Sequence, residues 1–184
     1  MTTQDASGTI TITTQLAGAT LQIPGNDRIG PLLAATLACA DAALDPQVGR
    51  ASLYPGAEIA YDDCCDGQVW VRLISLTPAG NPTATRTTAN PCGVLMWAAT
   101  IGIGALRCAA TLDDQGNAPT PAQLTADTHQ MTADAAALSQ AIQCCLTPQV
   151  NRATILRWDP LGPSGGCVGG EWTVTVLTDN CPCP

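Results

Sequence analysis

Two pairs of adjacent cysteines, Cys64-Cys65 and Cys144-Cys145, constrain this chain more than any other feature. Neighbouring cysteines do not readily bridge to each other, so each of these calls for its own partner elsewhere. The other candidates are Cys39, Cys92, Cys108, Cys167, Cys181 and Cys183, which makes ten cysteines in all. An even count suits a disulfide framework, and more than one bridge is expected, although spacing alone leaves the connectivity open. The N-terminus, MTTQDASGTITITTQ, has no basic segment followed by an apolar core, so no secretory signal is read there. The cytosol keeps thiols reduced, which sits badly with a disulfide framework. A particle assembled inside a cell and then released resolves the conflict, its bridges closing outside; the plainer alternative is that several cysteines are small buried apolar residues. Zinc on four thiolates, with Cys181 and Cys183 joined by Cys167 or by the 64/65 pair, is the weaker option. Adjacent cysteines and Cys-x-Cys lack the usual gap of about two to four residues.

Around Cys64-Cys65 the chain reads EIAYDDCCDGQVWVRLISL from Glu58 to Leu76, two apolar arms about a tight acidic turn. Asp62, Asp63, Asp66 and Gly67 are turn formers, so a hairpin at the centre of a sheet is expected there. Upstream, TITITTQLAGATLQI (Thr9 to Ile23) alternates and breaks as a β arm does, with Ile10 and Ile12 on one side. Such an arm pairs with a neighbouring subunit or docks on its own sheet. A first helix is expected from Pro31 to Leu44, with Leu33, Leu37, Ala40 and Leu44 on one face and Asp45-Pro46 ending it. A short strand near Ala51 to Tyr54 follows it.

Thr77 to Pro91, TPAGNPTATRTTANP, reads as a long polar loop. Cys92 to Cys108 reads as one strand with a bulge at Gly102 and Gly104. Beyond a turn at Asp113-Asp114-Gln115-Gly116, Thr120 and Pro121 open a second helix. Its expected buried stripe is Leu124, Thr128, Met131, Ala135, Leu138, Ile142 and Cys145. A final hairpin joins Thr154–Trp158 to Glu171–Leu177 through DPLGPSGGCVGG. The expected fold is α+β: an antiparallel-dominated sheet packed by one short and one long helix, with an N-terminal β arm and a C-terminal hairpin. Residues 1–28 form the arm, 29–178 the domain and 179–184 a Cys-Pro tail.

A net charge of −8, with seven arginines and no lysine, argues against a surface that neutralises phosphates or anionic lipid. The longest weakly polar run, Val94 to Leu106, is too short to span a bilayer, so a soluble chain without membrane partners is expected. Gly162-Pro163-Ser164-Gly165-Gly166 has the letters of a nucleophile elbow, but a β-hairpin follows where a helix belongs. The only histidine, His129, lies upstream of the serine. Gly102-Ile103-Gly104 is no dinucleotide loop, because Arg107 stands where a third glycine belongs. Asp62, Asp63 and Asp66 lack calcium-loop spacing. The tryptophans at 70, 97, 158 and 172 all fall in expected strands. No catalytic residue, cofactor or metal is therefore expected.

The sequence resembles tail terminator proteins of long-tailed, siphovirus-type phages of actinobacteria. The residues carrying the resemblance are Cys64-Cys65-Asp66-Gly67-Gln68-Val69-Trp70-Val71-Arg72-Leu73, Arg107-Cys108-Ala109, the helix ending at Cys144-Cys145, and Gly166-Cys167 through Glu171-Trp172. Element order agrees over about residues 29 to 178. The resemblance implies a hexameric ring of identical copies at the head-proximal end of the tail tube, in a virion assembled in the host cytoplasm. Its implied partners are the tail tube protein and the head-to-tail connector or stopper, and genomic DNA passes through the lumen without specific binding. No reaction is implied. On this reading Ile10 and Ile12 of the arm and Thr83, Thr85, Arg86 and Thr87 of the long loop are candidate subunit contacts. A neck stopper or adaptor and a secreted disulfide-stapled binding protein are the alternatives.

Overall fold

The structure is a computed structural model that describes residues 2–4, 10–12, 21–23, 27–56, 58–59, 64–79, 96–150 and 152–179. Strands β1 (Thr2–Gln4), β2 (Ile10–Ile12) and β3 (Leu21–Ile23) form a small antiparallel sheet with β2 in the middle. The domain follows as α1 (Ile29–Ala43), β4 (Arg50–Tyr54), β5 (Gln68–Ala79), β6 (Met96–Cys108), α2 (Pro121–Ala141), β7 (Arg152–Ser164) and β8 (Cys167–Asp179). Its five strands lie in the order β4-β5-β6-β8-β7, antiparallel throughout except for the parallel β4-β5 pair. The expected α+β class, with two helices on a mostly antiparallel sheet, is the observed one.

Both helices start where side chains satisfy their free amide groups. Asp27 Oδ1 accepts from the N–H groups of Ile29 and Gly30, each at 2.9 Å, so α1 begins two residues before Pro31. Thr120 and Gln123 form a capping box at α2: the Gln123 N–H donates to Thr120 Oγ1 and the Thr120 N–H to Gln123 Oε1. In α1 the expected residues Leu37, Ala40 and Leu44 are buried, Leu33 is half-buried, and Leu32 and Ala34 join the core. In α2 only the C-terminal half of the expected stripe is covered. Leu138 and Ile142 are buried, but Leu124 is 51% exposed and Thr128 lies open. An apolar period alone does not say how far a neighbouring sheet reaches, and here full burial begins at Asp134.

β-Strand alternation sorts the sheet into two faces. On the helix side Val69, Val71, Ile101, Ile103, Ala105, Val174 and Val176 pack with Leu37, Leu138, Ile142 and Leu146 as the main core. On the other side Trp70, Leu106, Cys64 and Cys167 form a second cluster, flanked by Tyr54, Ile59 and Leu161.

Three expectations about the strands need correction. Cys64–Asp66 is a single 3-10 turn, not a hairpin tip, and Glu58 and Ile59 belong to no strand. The outer neighbour of β5 is instead β4, whose Ser52 stands opposite Trp70 and whose Ala51 packs on the main core. The bulge expected on β6 lies on β5, where Ile74 is left over between the pairs Leu73↔Ile101 and Ser75↔Thr100. Gly102 and Gly104 are there for space: a Cβ on Gly102 would come within 2.6 Å of the Glu171 carboxylate, and one on Gly104 would run into the Trp70 indole. The final hairpin is longer than its glycines suggest. Strands β7 and β8 stay paired through Leu161↔Gly169 and turn at Gly165 and Gly166, whose φ values of 59° and 78° favour glycine.

All four tryptophans lie in strands, as expected. Thr77, Pro78 and Ala79 belong to β5 and not to a loop. Thr83, Thr85, Arg86 and Thr87, with Cys92 and the Cys181/Cys183 tail, lie outside the described residues.

Replacing Gly104 by alanine is predicted to cost about 1–3 kcal/mol through overpacking against Trp70. The checking measurement is urea unfolding of the bridged protein, and an unchanged midpoint would refute the packing role. At the turn after β6, Asp113 accepts from the Asn117 side chain and from the N–H groups of Gln115 and Asn117 at 2.8–2.9 Å. These bonds, the Asn117 side chain foremost, hold its carboxyl below the usual aspartate range. Their support for the turn is therefore present above that range and is lost as pH falls through the lowered value. In an NMR titration, Asn117→Ala should move the Asp113 midpoint upward.

Candidate functional site

Among the described residues three disulfides form: Cys39–Cys145, Cys64–Cys167 and Cys65–Cys108. The adjacent cysteines of the 3-10 turn take different partners, as their geometry requires. Cys108 and Cys167 stand opposite each other in the β6-β8 ladder, so two bridges lie side by side at one end of the sheet. Cys64 and Cys167 are buried at 4% and 2% exposure, while Cys65 and Cys108 face solvent. The third bridge ties α1 to the single π turn, Ile142–Leu146, that follows α2. Beside it Cys144 is an exposed free thiol. The Cys39–Cys145 and Cys64–Cys167 bridges close loops of 106 and 103 residues, each worth about 4–5 kcal/mol on a chain-entropy view. In this bridged state no group of three or more His, Cys, Asp or Glu among the described residues is placed to hold a metal.

Among the described residues two buried ion pairs are the other polar centres, and composition does not single them out. On the sheet face away from the helices, Arg72 grips Glu171 with two hydrogen bonds, Nε to Oε2 at 2.8 Å and Nη2 to Oε1 at 2.7 Å. The indole N–H of Trp70 donates to the same Oε2 at 2.6 Å. Hydrogen bonding to Glu171 outweighs burial and raises the Arg72 pKa, so the guanidinium stays charged at any ordinary pH. On the helix side Arg107 clasps Asp134 in the same two-pronged way, at 2.7 and 2.9 Å, and also donates to the Pro46 carbonyl at 2.8 Å. Gln130 joins Asp134 to the Asp45 carbonyl. That network fastens α2, the end of β6 and the chain leaving α1 to one another. The sequence signal for the first pair is Arg72 and Glu171, each on an inward position of an apolar strand. The signal for the second is Asp134 within a helical stripe.

Around Ser164 the chain runs strand, turn, strand, which is not the strand-turn-helix of a nucleophile elbow. His129 is exposed on α2. The structure does not bring the two together through any hydrogen bond among the described residues.

The two outer edges of the sheet differ. Strand β4 stops at Tyr54, opposite Arg72, so β5 continues from Leu73 to Ala79 with no outer strand among the described residues. Here Leu53, Ile74 and Leu76 are 38%, 39% and 40% exposed. Leu33, Leu53, Tyr54, Val71 and Leu73 line an open groove beside them. The opposite edge, β7, is interrupted at Leu156, which falls between the pairs Ile155↔Val174 and Arg157↔Thr173, and carries Pro160 and Pro163. Of the candidate subunit contacts, Ile10 and Ile12 lie on the middle strand of the small sheet.

Neither a protein-family model nor a curated protein sequence matches the chain.

Glu171→Gln leaves the Arg72 guanidinium without its counter-charge in a largely dry site, and the predicted loss is about 3–5 kcal/mol. An Arg72→Met/Glu171→Leu double variant should recover much of it. Denaturant unfolding of all three proteins checks this, and a double variant weaker than Glu171→Gln alone would sink the assignment.

Proposed function

We propose that this chain is a virion structural subunit that closes into a hexameric ring, a tail terminator that caps the tail tube and meets the head-to-tail connector. The observation that carries the reading is the shoulder formed by Leu53, Ile74 and Leu76 beside the stretch of β5 that has no outer strand among the described residues. Large apolar side chains gathered beside a strand that outruns its outer neighbour are what a subunit contact covers. The element order of the resemblance supports it: helix, strands, long strand, long helix, final hairpin. Cross-braced ion pairs and disulfides suit a part whose work is to keep its shape. The net charge of −8 suits a lumen along which DNA slides without sticking. On this proposal the partners are further copies of the chain, the tail tube protein and the connector.

The three disulfides favour a second reading, a secreted disulfide-stapled binding protein. Native mass measurement with and without crosslinking separates the two. A ring subunit gives hexamers or dodecamers; a protein that stays monomeric at every concentration overturns the ring. Leu76→Asp, and separately deletion of residues 83–89, should abolish rings while far-UV circular dichroism still reports a folded monomer. Rings that survive both changes would remove this edge of the subunit from the interface.

A further inference from the structure

We propose that the end of the sheet carrying Cys64, Cys65, Cys108 and Cys167 is a zinc site when its two bridges are reduced. These sulfurs come from three separate stretches that meet in one place. Cys64 and Cys65 share the 3-10 turn, and Cys108 and Cys167 face each other across β6 and β8. Across the bridges the Cα atoms are only 5.7 Å apart for Cys64–Cys167 and 4.1 Å for Cys65–Cys108. A zinc ion at about 2.3 Å from each thiolate holds neighbouring sulfurs about 3.8 Å apart, within reach of side-chain rotation on a fixed backbone. Residue spacing in the sequence argues against zinc only on the assumption that the ligands come from one short knuckle. The fold supplies them from a turn and two strands.

The backbone that would hold the ion is braced by hydrogen bonds as well as by the bridges. The Gly67 N–H donates to the Cys64 carbonyl at 2.9 Å, the Gly49 N–H to Asp66 at 2.7 Å and the Ala109 N–H to Gly166 at 2.7 Å. The β6-β8 ladder runs unbroken to the Cys108↔Cys167 pair. Two of the sulfurs are buried against Trp70 and Leu106, which shields the site from water, and two are exposed, which gives an ion its way in. Four thiolates select a soft, tetrahedral ion, and zinc meets that description.

The zinc-bound and bridged states are linked by a balanced step. Two molecules of a small disulfide of the glutathione class take four electrons from the four thiolates. Both protein bridges close, Zn²⁺ leaves, and four small thiols form with protons from solvent. The same end of the sheet is thus held by metal in a reducing compartment and by sulfur bridges in an oxidising one.

The test titrates the full chain, reduced with a phosphine and kept free of oxygen, with cobalt(II) and then zinc. The expected result is one cobalt per chain with a tetrahedral thiolate spectrum, displaced by zinc. Zinc should also raise the thermal midpoint of the reduced chain and leave that of the bridged chain unchanged. Cys108→Ser, at an exposed position, should weaken binding by more than the roughly 100-fold that loss of an outer-shell partner costs. Cys39→Ser/Cys145→Ser and Cys181→Ser/Cys183→Ser should keep it. No thiolate spectrum on the reduced wild type overturns the proposal, as does binding that survives Cys108→Ser or is lost with the Cys181/Cys183 pair.

Discussion

The carboxylate of Glu171 is the point from which the rest of the sheet is determined. A charge with 6% exposure persists in a protein only when its lone pairs are met, and here three N–H groups from Trp70 and Arg72 meet them. Those donors sit on β5 and the acceptor on β8, so the bonds cross the whole width of β6. That crossing is possible because β6 has hydrogen in place of side chains at Gly102 and Gly104. The polar contact, the glycine pair and the register of three strands therefore specify one another. A slip of one residue in the β6-β8 ladder would turn Glu171 to the helix face beside Ile101 and Ile103 and turn Val174 and Val176 away from the core.

The helix face is fixed by an analogous device of a different kind. Arg107 and Asp134 are satisfied by each other, and Arg107 and Gln130 reach on to carbonyls of the segment leaving α1. Together with the Trp172 indole N–H, which donates to the Ala135 carbonyl at 2.8 Å, that contact fastens α2 along the sheet. The first turn and a half of α2, before Asp127, is left uncovered, which is why Leu124 is exposed although it keeps the period of the buried residues.

Element type is legible in the residues wherever a local rule decides it. Thr120-Pro121 announces α2, Asp45-Pro46 ends α1, and the tryptophans with their β-branched neighbours mark the strands. What the residues conceal depends on partners distant in sequence. EIAY and RASLY are both plausible companions for β5, and nothing local reveals that the second wins by placing Ala51 on the core. Gly102 and Gly104 stand out as glycines within a strand, yet a bulge and a close approach both ask for glycine, and only the neighbouring strands show that the second applies. The adjacent cysteines foretell separate bridges, but which sulfurs meet follows from the β6-β8 register. Of the polar centres, Arg72 and Glu171 are visible in the sequence only as charges on strands that have no evident reason to carry them.

The unlike edges of the sheet carry a consequence for symmetry. On β7 the interruption at Leu156 and the N–H groups missing at Pro160 and Pro163 work against continuous pairing with a further strand, whereas the β5 shoulder has apolar side chains to offer. Continuous strand pairing from shoulder to β7 is therefore disfavoured, and a contact at the shoulder favours some surface other than the far edge of the sheet. A contact between unlike surfaces has polarity: each copy both gives and receives, and the rotation between neighbours alone decides whether the series returns to its start or winds on as a filament.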